Sequence, residues 1–422
     1  MRILQLLTKL ILIFCLSASF YPTQHNSTWG FFGHKRINRF AVFTLPTEVM
    51  GLYKQEIDYI TEHAIDPDKR RFVINTEGYR HYINLDKARF FPRDKTDAQI
   101  LFTDIFIVTE KNDTLQLIDN QNIRKVKRDY IIKSKNLRKI FFRDSIAVAD
   151  SFMRRFFIYN LSRIEPDEAY PIPVDSIKAL FKKEALSMIP IKAAFAKDYL
   201  IKNGILPYHL YALQRQITEA FIQKDRQRIL KLSAEMGHYI GDAHVPLHTT
   251  ANYDGQFTKQ TGIHAFWESR LPELFTDARY DFIVGRAEYI QNPKEFFWKI
   301  ILDANKLVSK VLDIEKEINT QFSDDKKYCI ETINGVAYQK PCAEYAELYH
   351  DKLDGMVEEQ MRNAILALGS AWYTAWVDAG QPDLDALPET PIVVEEKKTL
   401  AKADSIIANK GQMIGRDEGK QK

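Results

Sequence analysis

The sequence predicts a mainly α-helical fold interrupted by a mixed β/α insertion. Apolar residues recur at helix-like spacing from about Trp29 to Asp86 and again from about Pro207 to Gln381, whereas residues 87–190 hold β-favouring runs and a dense basic stretch. With 422 residues, 45% of them hydrophobic and 27% charged, the chain can bury a sizeable core. No internal run approaches the roughly 20 apolar residues that span a bilayer. A formal net charge of +3 neither demands nor excludes an anionic partner, so charge balance alone selects no function.

At the N-terminus, Arg2 and Lys9 precede the apolar run Leu10–Leu16, and the small residues Ser17, Ala18 and Ser19 follow. This order reads as an export signal over residues 1–19, with cleavage as late as residue 28 as an alternative, and implies a periplasmic or secreted protein. An N-terminal membrane anchor is the competing reading, disfavoured because the run is short. Cys15 leaves with the signal. Cys329 and Cys342 remain, either as a disulfide or as a pair of buried thiols, and their spacing matches no metal motif.

The first helical segment carries Ile37, Phe40, Ala41 and Phe43 at helix-like spacing and is limited by Pro46. Residues 87–190 read as an insertion, with strands at Ile100–Val108 and Thr114–Ile118 around a polar Glu-Lys-Asn-Asp turn. Its basic residues are Arg124, Lys125, Lys127, Arg128, Lys133, Lys135, Arg138, Lys139 and Arg143, which read either as a flexible exposed loop or as an attractor of polyanions. The helical pattern that follows is interrupted at Tyr253–Thr261 and Ser323–Pro341. Residues 29–381 thus form one helical domain around the insertion. Pro382, Pro388 and Pro391 open a charged segment, residues 382–422, expected to be a disordered tail.

Candidate metal ligands cluster in His238-Tyr-Ile-Gly-Asp242-Ala-His244-Val-Pro-Leu-His248. His238 and Asp242 are four apart, on one face of a helix, and Pro246 turns the chain so that His248 aims elsewhere. His264 and Glu268 repeat the spacing, and an imidazole with a carboxylate suits zinc. A single such pair is usually a helix-stabilising contact; two pairs, with His34 and His81 upstream, point to one bundle-core site.

These motifs resemble the zinc-dependent superfamily of secreted single-strand-specific nucleases and bacterial phospholipase C. The resemblance rests on Trp29-Gly-Phe-Phe-Gly-His34, the motif ending Pro-Leu-His at His248, the His264/Glu268 pair, and an aspartate followed about fifteen residues later by a histidine and an aromatic. Asp66 and His81-Tyr82 fit that last spacing, with Asp68 as second choice. The resemblance implies a helical domain of the phospholipase C and single-strand nuclease type with a trinuclear zinc site. Asp66, His81, His238 and Asp242 would hold one zinc ion, and His248, His264 and Glu268 a second. Trp29, His34 and the bridging Asp242 would hold a third, given processing just before Trp29.

The implied reaction is phosphoric ester hydrolysis through a zinc-bound hydroxide, with Asp66 also orienting or deprotonating the attacking water. Lys69 and Arg70 read as phosphate contacts or as part of a solvated basic run. In the nuclease branch Tyr82 and Asn84 would stack on and hydrogen-bond a base, Tyr82 alternatively being core. Glu268 resembles the phospholipase branch. Single-stranded nucleic acid is the preferred substrate, a phospholipid head group the alternative, and an inactive metal-stabilised binding protein a third. No stable protein partner is implied, and a monomer is expected. His244 is expected in a structural hydrogen bond, while His63, His209 and His350 have no assigned role.

Overall fold

The structure is a computed structural model describing residues 30–87, 90–141, 143–161, 169–181, 186, 189–333, 336–388 and 394–410. The expected export signal and Trp29 lie outside the described residues. About 59% of the chain is helical and 14% strand, which makes the fold mainly α. Among the described residues no helix is long and apolar enough to cross a membrane.

The helical body begins with α1 (Phe31–Ala41), α2 (Thr47–Gln55), α3 (Ile57–Glu62) and the single turn α4 (Asp66–Arg70). Chain then leaves the body for the insertion. Helix α5 (Lys95–Leu101) leads into β1 (Thr103–Thr109), β2 (Thr114–Ile118), β3 (Ile123–Val126) and β4 (Asp129–Lys133). After α6 (Leu137–Phe141) come β5 (Ser145–Ala149), α7 (Asp150–Asn160), β6 (Tyr170–Ile172), α8 (Val174–Leu180) and β7 (Ile191–Asp198). Two antiparallel sheets result, in the orders β2-β1-β7-β6 and β3-β4-β5, over a core of their own that includes Ile107, Tyr130, Phe157 and Ala196.

The insertion therefore ends at Asp198, not at residue 190. Strand β7 pairs along β1 from Thr103–Asp198 to Thr109–Ile191. Its sequence, Ile-Lys-Ala-Ala-Phe-Ala-Lys-Asp, gains strand structure from that partner rather than from propensity. The expected strand at Ile100–Val108 starts later because Asp94 caps α5 through the Thr96 and Asp97 amides, which keeps Ile100 helical. The basic stretch occupies β3, β4 and their turns, so much of it lies on regular structure rather than on a loop.

The body resumes with α9 (Leu206–Ile222), α10 (Arg226–His244), α11 (Leu271–Arg279), α12 (Pro293–Lys306) and α13 (Val308–Asn319). A hairpin, β8 (Tyr328–Ile333) and β9 (Val336–Pro341), precedes α14 (Ala343–Leu353) and α15 (Met356–Asp378). Cys329 and Cys342 form a disulfide that ties this hairpin to the start of α14. Helix α10 is the centre of the body, packed by α1, α9 and α15. Within the expected disordered tail, residues Val394–Lys410 form α16, packed on α4 with Ala403 buried and Asp404 Oδ1 3.2 Å from Lys69 Nζ. Its Lys, Ala, Glu and Leu content favours helix, and the apolar side of that helix finds a partner.

The approach of α1 to α10 is unusually close for a physical reason. Gly237 and Gly241 stand four apart on α10, facing α1. A Cβ at 237 would lie 1.7 Å from Asn38 Oδ1, and one at 241 would lie 2.7 Å from His34 Nδ1. Asn38 fills the contact by donating to the carbonyls of Ile60 and Ala234. The neighbouring residues on α10, His238 and Asp242, are thereby set beside His34.

Candidate metal centre

Six segments converge. His34 comes from α1, Asp68 from α4, His81 from the turn after Gly78–Arg80, and His238 and Asp242 from α10. His248 lies on the Pro246–Thr249 turn, and His264 and Glu268 straddle Ile263–Ala265 and the π-helical segment Phe266–Arg270. A regular α-helix is expected at that pair; the π turn still brings His264 Nε2 and Glu268 Oε2 to 2.8 Å.

Asp242 is the hub. Its Oδ2 lies 2.9 Å from His81 Nδ1 and 3.4 Å from His238 Nε2, while its Oδ1 lies 3.5 Å from His34 Nε2 and 3.8 Å from His248 Nε2. Asp68 Oδ1 closes one group at 3.7 Å from His238 Nε2 and 3.8 Å from His81 Nδ1. Glu268 closes another, its Oε2 3.3 Å from His248 Nε2, with Oε1 3.5 Å from His34 Nε2. The donor atoms form three compact groups: His34, His238 and Asp242; Asp68, His81 and His238; His248, His264 and Glu268.

Backbone carbonyls orient the rings. His238 Nδ1 donates to Ala64 O at 3.0 Å, His248 Nδ1 to His81 O at 2.5 Å, and His264 Nδ1 to Tyr253 O at 3.2 Å. Each bond leaves an Nε2 lone pair directed into the cluster, the arrangement that ligating histidines use. Burial holds His81 and His238 well below the usual imidazole range, reinforced by neighbouring rings, so both are neutral and able to ligate. Glu268 is the opposite case. Burial pushes its carboxyl up, but His248, His264 and His34 together hold it well below the usual range.

Asp68 and Asp242 are buried and Glu268 is mostly so, and carboxylates crowded together in this way beside imidazole nitrogens are costly without a cation between them. Their nitrogen and oxygen donors fit zinc. Further support comes from a buried charge network behind the rings. Arg70 Nη1 donates to Glu235 at 2.6 Å and its guanidinium reaches Glu77 at 3.5 Å, while the Tyr239 hydroxyl also donates to Glu77. The Tyr239 ring meets His81 and His238 edge-on, with centroids 5.2 and 5.5 Å apart.

Several sequence expectations are corrected. Asp66 accepts a 2.5 Å bond from His63 Nδ1, and it is Asp68, not Asp66, that joins His81 and His238 in a donor group. The two are separated by two residues on α4, roughly 200° around the helix, so only one can face the site. Arg70 is buried in the Glu77–Glu235 network and Lys69 pairs with Asp404; neither contacts the cluster. Arg71 does approach it, bonding Asp68 Oδ1 at 3.2 Å. Tyr82 and Asn84 are buried, not exposed to a base: the Tyr82 hydroxyl donates to Lys202 O, and Gly204 lies against its carbonyl and ring. The chain returning from the insertion covers them.

His244 follows the expectation. It donates to Ile240 O at 2.8 Å, a structural bond, and burial lowers its pKa to about 4. The described residues begin at Gly30, whose added Cβ would lie 3.9 Å from Glu268 Oε1, at the edge of the cluster; the expected part of Trp29 lies outside them. The glycine pair at 237 and 241 and Arg71 were legible only through their spacing from the ligands, as residues one helical step from His238 and Asp242 and three from Asp68. Neither protein-family models nor curated proteins give a match to this chain.

Proposed function

We propose that the protein is a zinc-dependent phosphoric ester hydrolase of the single-strand nuclease and phospholipase C type, acting preferentially on single-stranded nucleic acid. The observation that carries this reading is Asp242, one carboxylate bordering all four of His34, His81, His238 and His248. Asp68, His81, His238 and Asp242 would hold one ion, His248, His264 and Glu268 a second, and His34 with Asp242 a third, completed by Trp29. Bound zinc would supply a water of lowered pKa and would stabilise charge on phosphoryl oxygens.

The chain's own residues have distinct tasks. Asp68, partly screened by Arg71, would orient the attacking water, the role that spacing alone gives to Asp66. Arg71 would neutralise a phosphoryl oxygen from the rim of the cluster. Its side chain keeps 21% of its exposure and remains reachable. Asp242 would hold neighbouring ions in register, while the carbonyl-anchored histidines need no rearrangement before binding.

Glu268 supports the phospholipase alternative, and the burial of Tyr82 removes one ground for the nuclease reading. The exposed basic residues of the insertion support nuclease. The test is a substrate panel with metal-stripped and zinc-reloaded protein: oligothymidylate, a 3'-nucleotide, bis(p-nitrophenyl) phosphate and phosphatidylcholine. Zinc-dependent cleavage of the oligonucleotide is expected. Cleavage of phosphatidylcholine alone would replace nuclease by phospholipase, and tight zinc binding without any hydrolysis would identify a metal-stabilised binding protein.

A further inference from the structure

Arg270 ends the π-helical segment that carries Glu268 and turns away from the cluster. It is a buried cation whose hydrogen bonds all go to the hairpin of β8 and β9. Its Nε donates to Pro341 O at 3.0 Å and its Nη1 to Glu331 Oε2 at 3.1 Å, while Nη2 reaches the other oxygen of the same carboxylate. Such a fork fixes orientation as well as distance. Three residues on, in the first turn of α11, Glu273 accepts from Lys340 Nζ at 2.8 Å. The chain that follows the ligand pair is thus held to one hairpin at two successive points.

That hairpin has little apolar burial to hold it. No described residue of β8 or β9 belongs to the buried apolar clusters, and Tyr328 and Ile330 are 41% and 69% exposed. A two-stranded hairpin by itself is only marginally stable in water. Here the Cys329–Cys342 disulfide closes its base, with the Cys342 amide donating to Lys327 O at 2.8 Å. The groups that grip Arg270 and Glu273 sit at this staple. Glu331 lies two residues from Cys329 on the same face of β8, Pro341 precedes Cys342, and Lys340 stands opposite Cys329 in the strand register. A cross-link narrows the conformations open to the segment it closes, so all three groups are confined with it.

The other side of the π segment faces the ligands. Glu268, two residues before Arg270, approaches His264, His248 and His34. π-helical turns are rare, and those that occur inside α-helical chain are found mostly at functional sites. His264 shares this stretch of chain with Glu268, but His248 stands on the separate Pro246–Thr249 turn. A displacement of Arg270 therefore carries Glu268 and His264 together relative to His248.

We propose that Arg270 is a positioning residue for the His264–Glu268 pair, and that the disulfide-closed hairpin is the brace against which it is set. The hairpin supplies no ligand, yet the affinity for the ion of His248, His264 and Glu268 depends on it. The ion of Asp68, His81, His238 and Asp242 stands on other elements and does not. This inference rests on the reading of the cluster as a metal centre; it does not need the reaction to be phosphoric ester hydrolysis.

The full chain, stripped with EDTA, is titrated with zinc alone by calorimetry, and its amide hydrogen exchange is followed without metal. Arg270→Met keeps the aliphatic bulk and strands no deeply buried charge, since the Glu331 side chain is 39% exposed. It is expected to weaken one zinc ion about ten-fold or more and to leave the ion of Asp68, His81, His238 and Asp242 unchanged. Exchange at Ile263–Leu271 is expected to rise about ten-fold, with that of α10 unaltered. Arg270→Lys, which retains the charge without the fork, should fall between wild type and Arg270→Met. Cys329→Ser with Cys342→Ser should reproduce Arg270→Met, and a wild-type response from that pair overturns the part given to the hairpin. Unchanged zinc affinity in Arg270→Met overturns the proposal, as does equal weakening of every ion, the mark of a merely structural role. Wild-type protein that takes up no zinc refutes the metal centre and this proposal with it. Wild-type protein that binds zinc without hydrolysing bis(p-nitrophenyl) phosphate refutes the hydrolase reading alone.

Discussion

His34 sits where a side chain on Gly241 would be: an added Cβ would stand 2.7 Å from its Nδ1. The contact couples helix packing to ligand position. Gly241→Ala is therefore expected to displace His34 and to lower bound zinc from about three ions per chain to about two, measured by elemental analysis. Gly237→Ala crowds Asn38 instead, and is expected to cost about 1–3 kcal/mol in denaturant unfolding. Full zinc occupancy in Gly241→Ala would refute the coupling.

Asp66 and Asp68 separate the two readings of the α4 turn. Asp68→Asn is expected to reduce zinc-dependent hydrolysis of bis(p-nitrophenyl) phosphate by about 100-fold or more. Asp66→Asn breaks only the bond to His63 and is expected to change the rate by about two-fold at most. The reverse order of effects would restore Asp66 as the ligand.

Adjacent arginines should behave differently. Arg70→Met removes the cation that buried Glu77 and Glu235 share, leaving them only Arg80 at 2.8 Å and Lys231 at 3.9 Å, and is expected to cost about 3 kcal/mol in urea unfolding. Arg71→Met is expected to change stability by less than about 1 kcal/mol. Its rate of hydrolysis, however, should fall about 10–100-fold. Equal stability losses would mean that Arg71 also serves packing rather than substrate.

Asp198 gives the insertion a pH dependence. Burial raises its pKa from 3.8 to about 6, against the opposing Leu200 amide and Gln99. The folded chain thus holds this proton more tightly than the unfolded chain does. Its favourable contribution is complete below about pH 4 and is lost as pH rises through about 6. Asp198→Asn should stabilise the insertion more at pH 8 than at pH 4, by at most about 3 kcal/mol, read by hydrogen exchange in β1 and β7. A difference that does not vary with pH would show that folding leaves the Asp198 carboxyl unshifted.

Much of the candidate site was legible because helical spacing is a local property. His238 with Asp242, and His264 with Glu268, needed only the four-residue repeat, and their partners His34 and His81 followed from the motifs. Asp66 was preferred to Asp68 on a spacing that runs through irregular chain, where two residues of difference mean opposite sides of a helical turn. Tyr82 reads either as a base contact or as core because nothing nearby in the sequence decides its cover, which is Lys202 to Gly204, about 120 residues further on. Strand β7 and the packed helix α16 depended likewise on distant partners. The tail's composition suggests disorder when taken without α4.

Chain entropy makes the placement of the insertion tolerable. His81 and His238, whose nitrogens lie 3.0 Å apart, are separated by 157 residues. The Tyr199 amide donates to Phe102 O, so the ends of the inserted unit meet and bypass about 97 of those residues once it has collapsed on its own core. For a flexible loop, that shortening lowers the closure cost by roughly 0.8 kcal/mol. An insertion that folds first would hold the two halves of the ligand set close together before the body assembles.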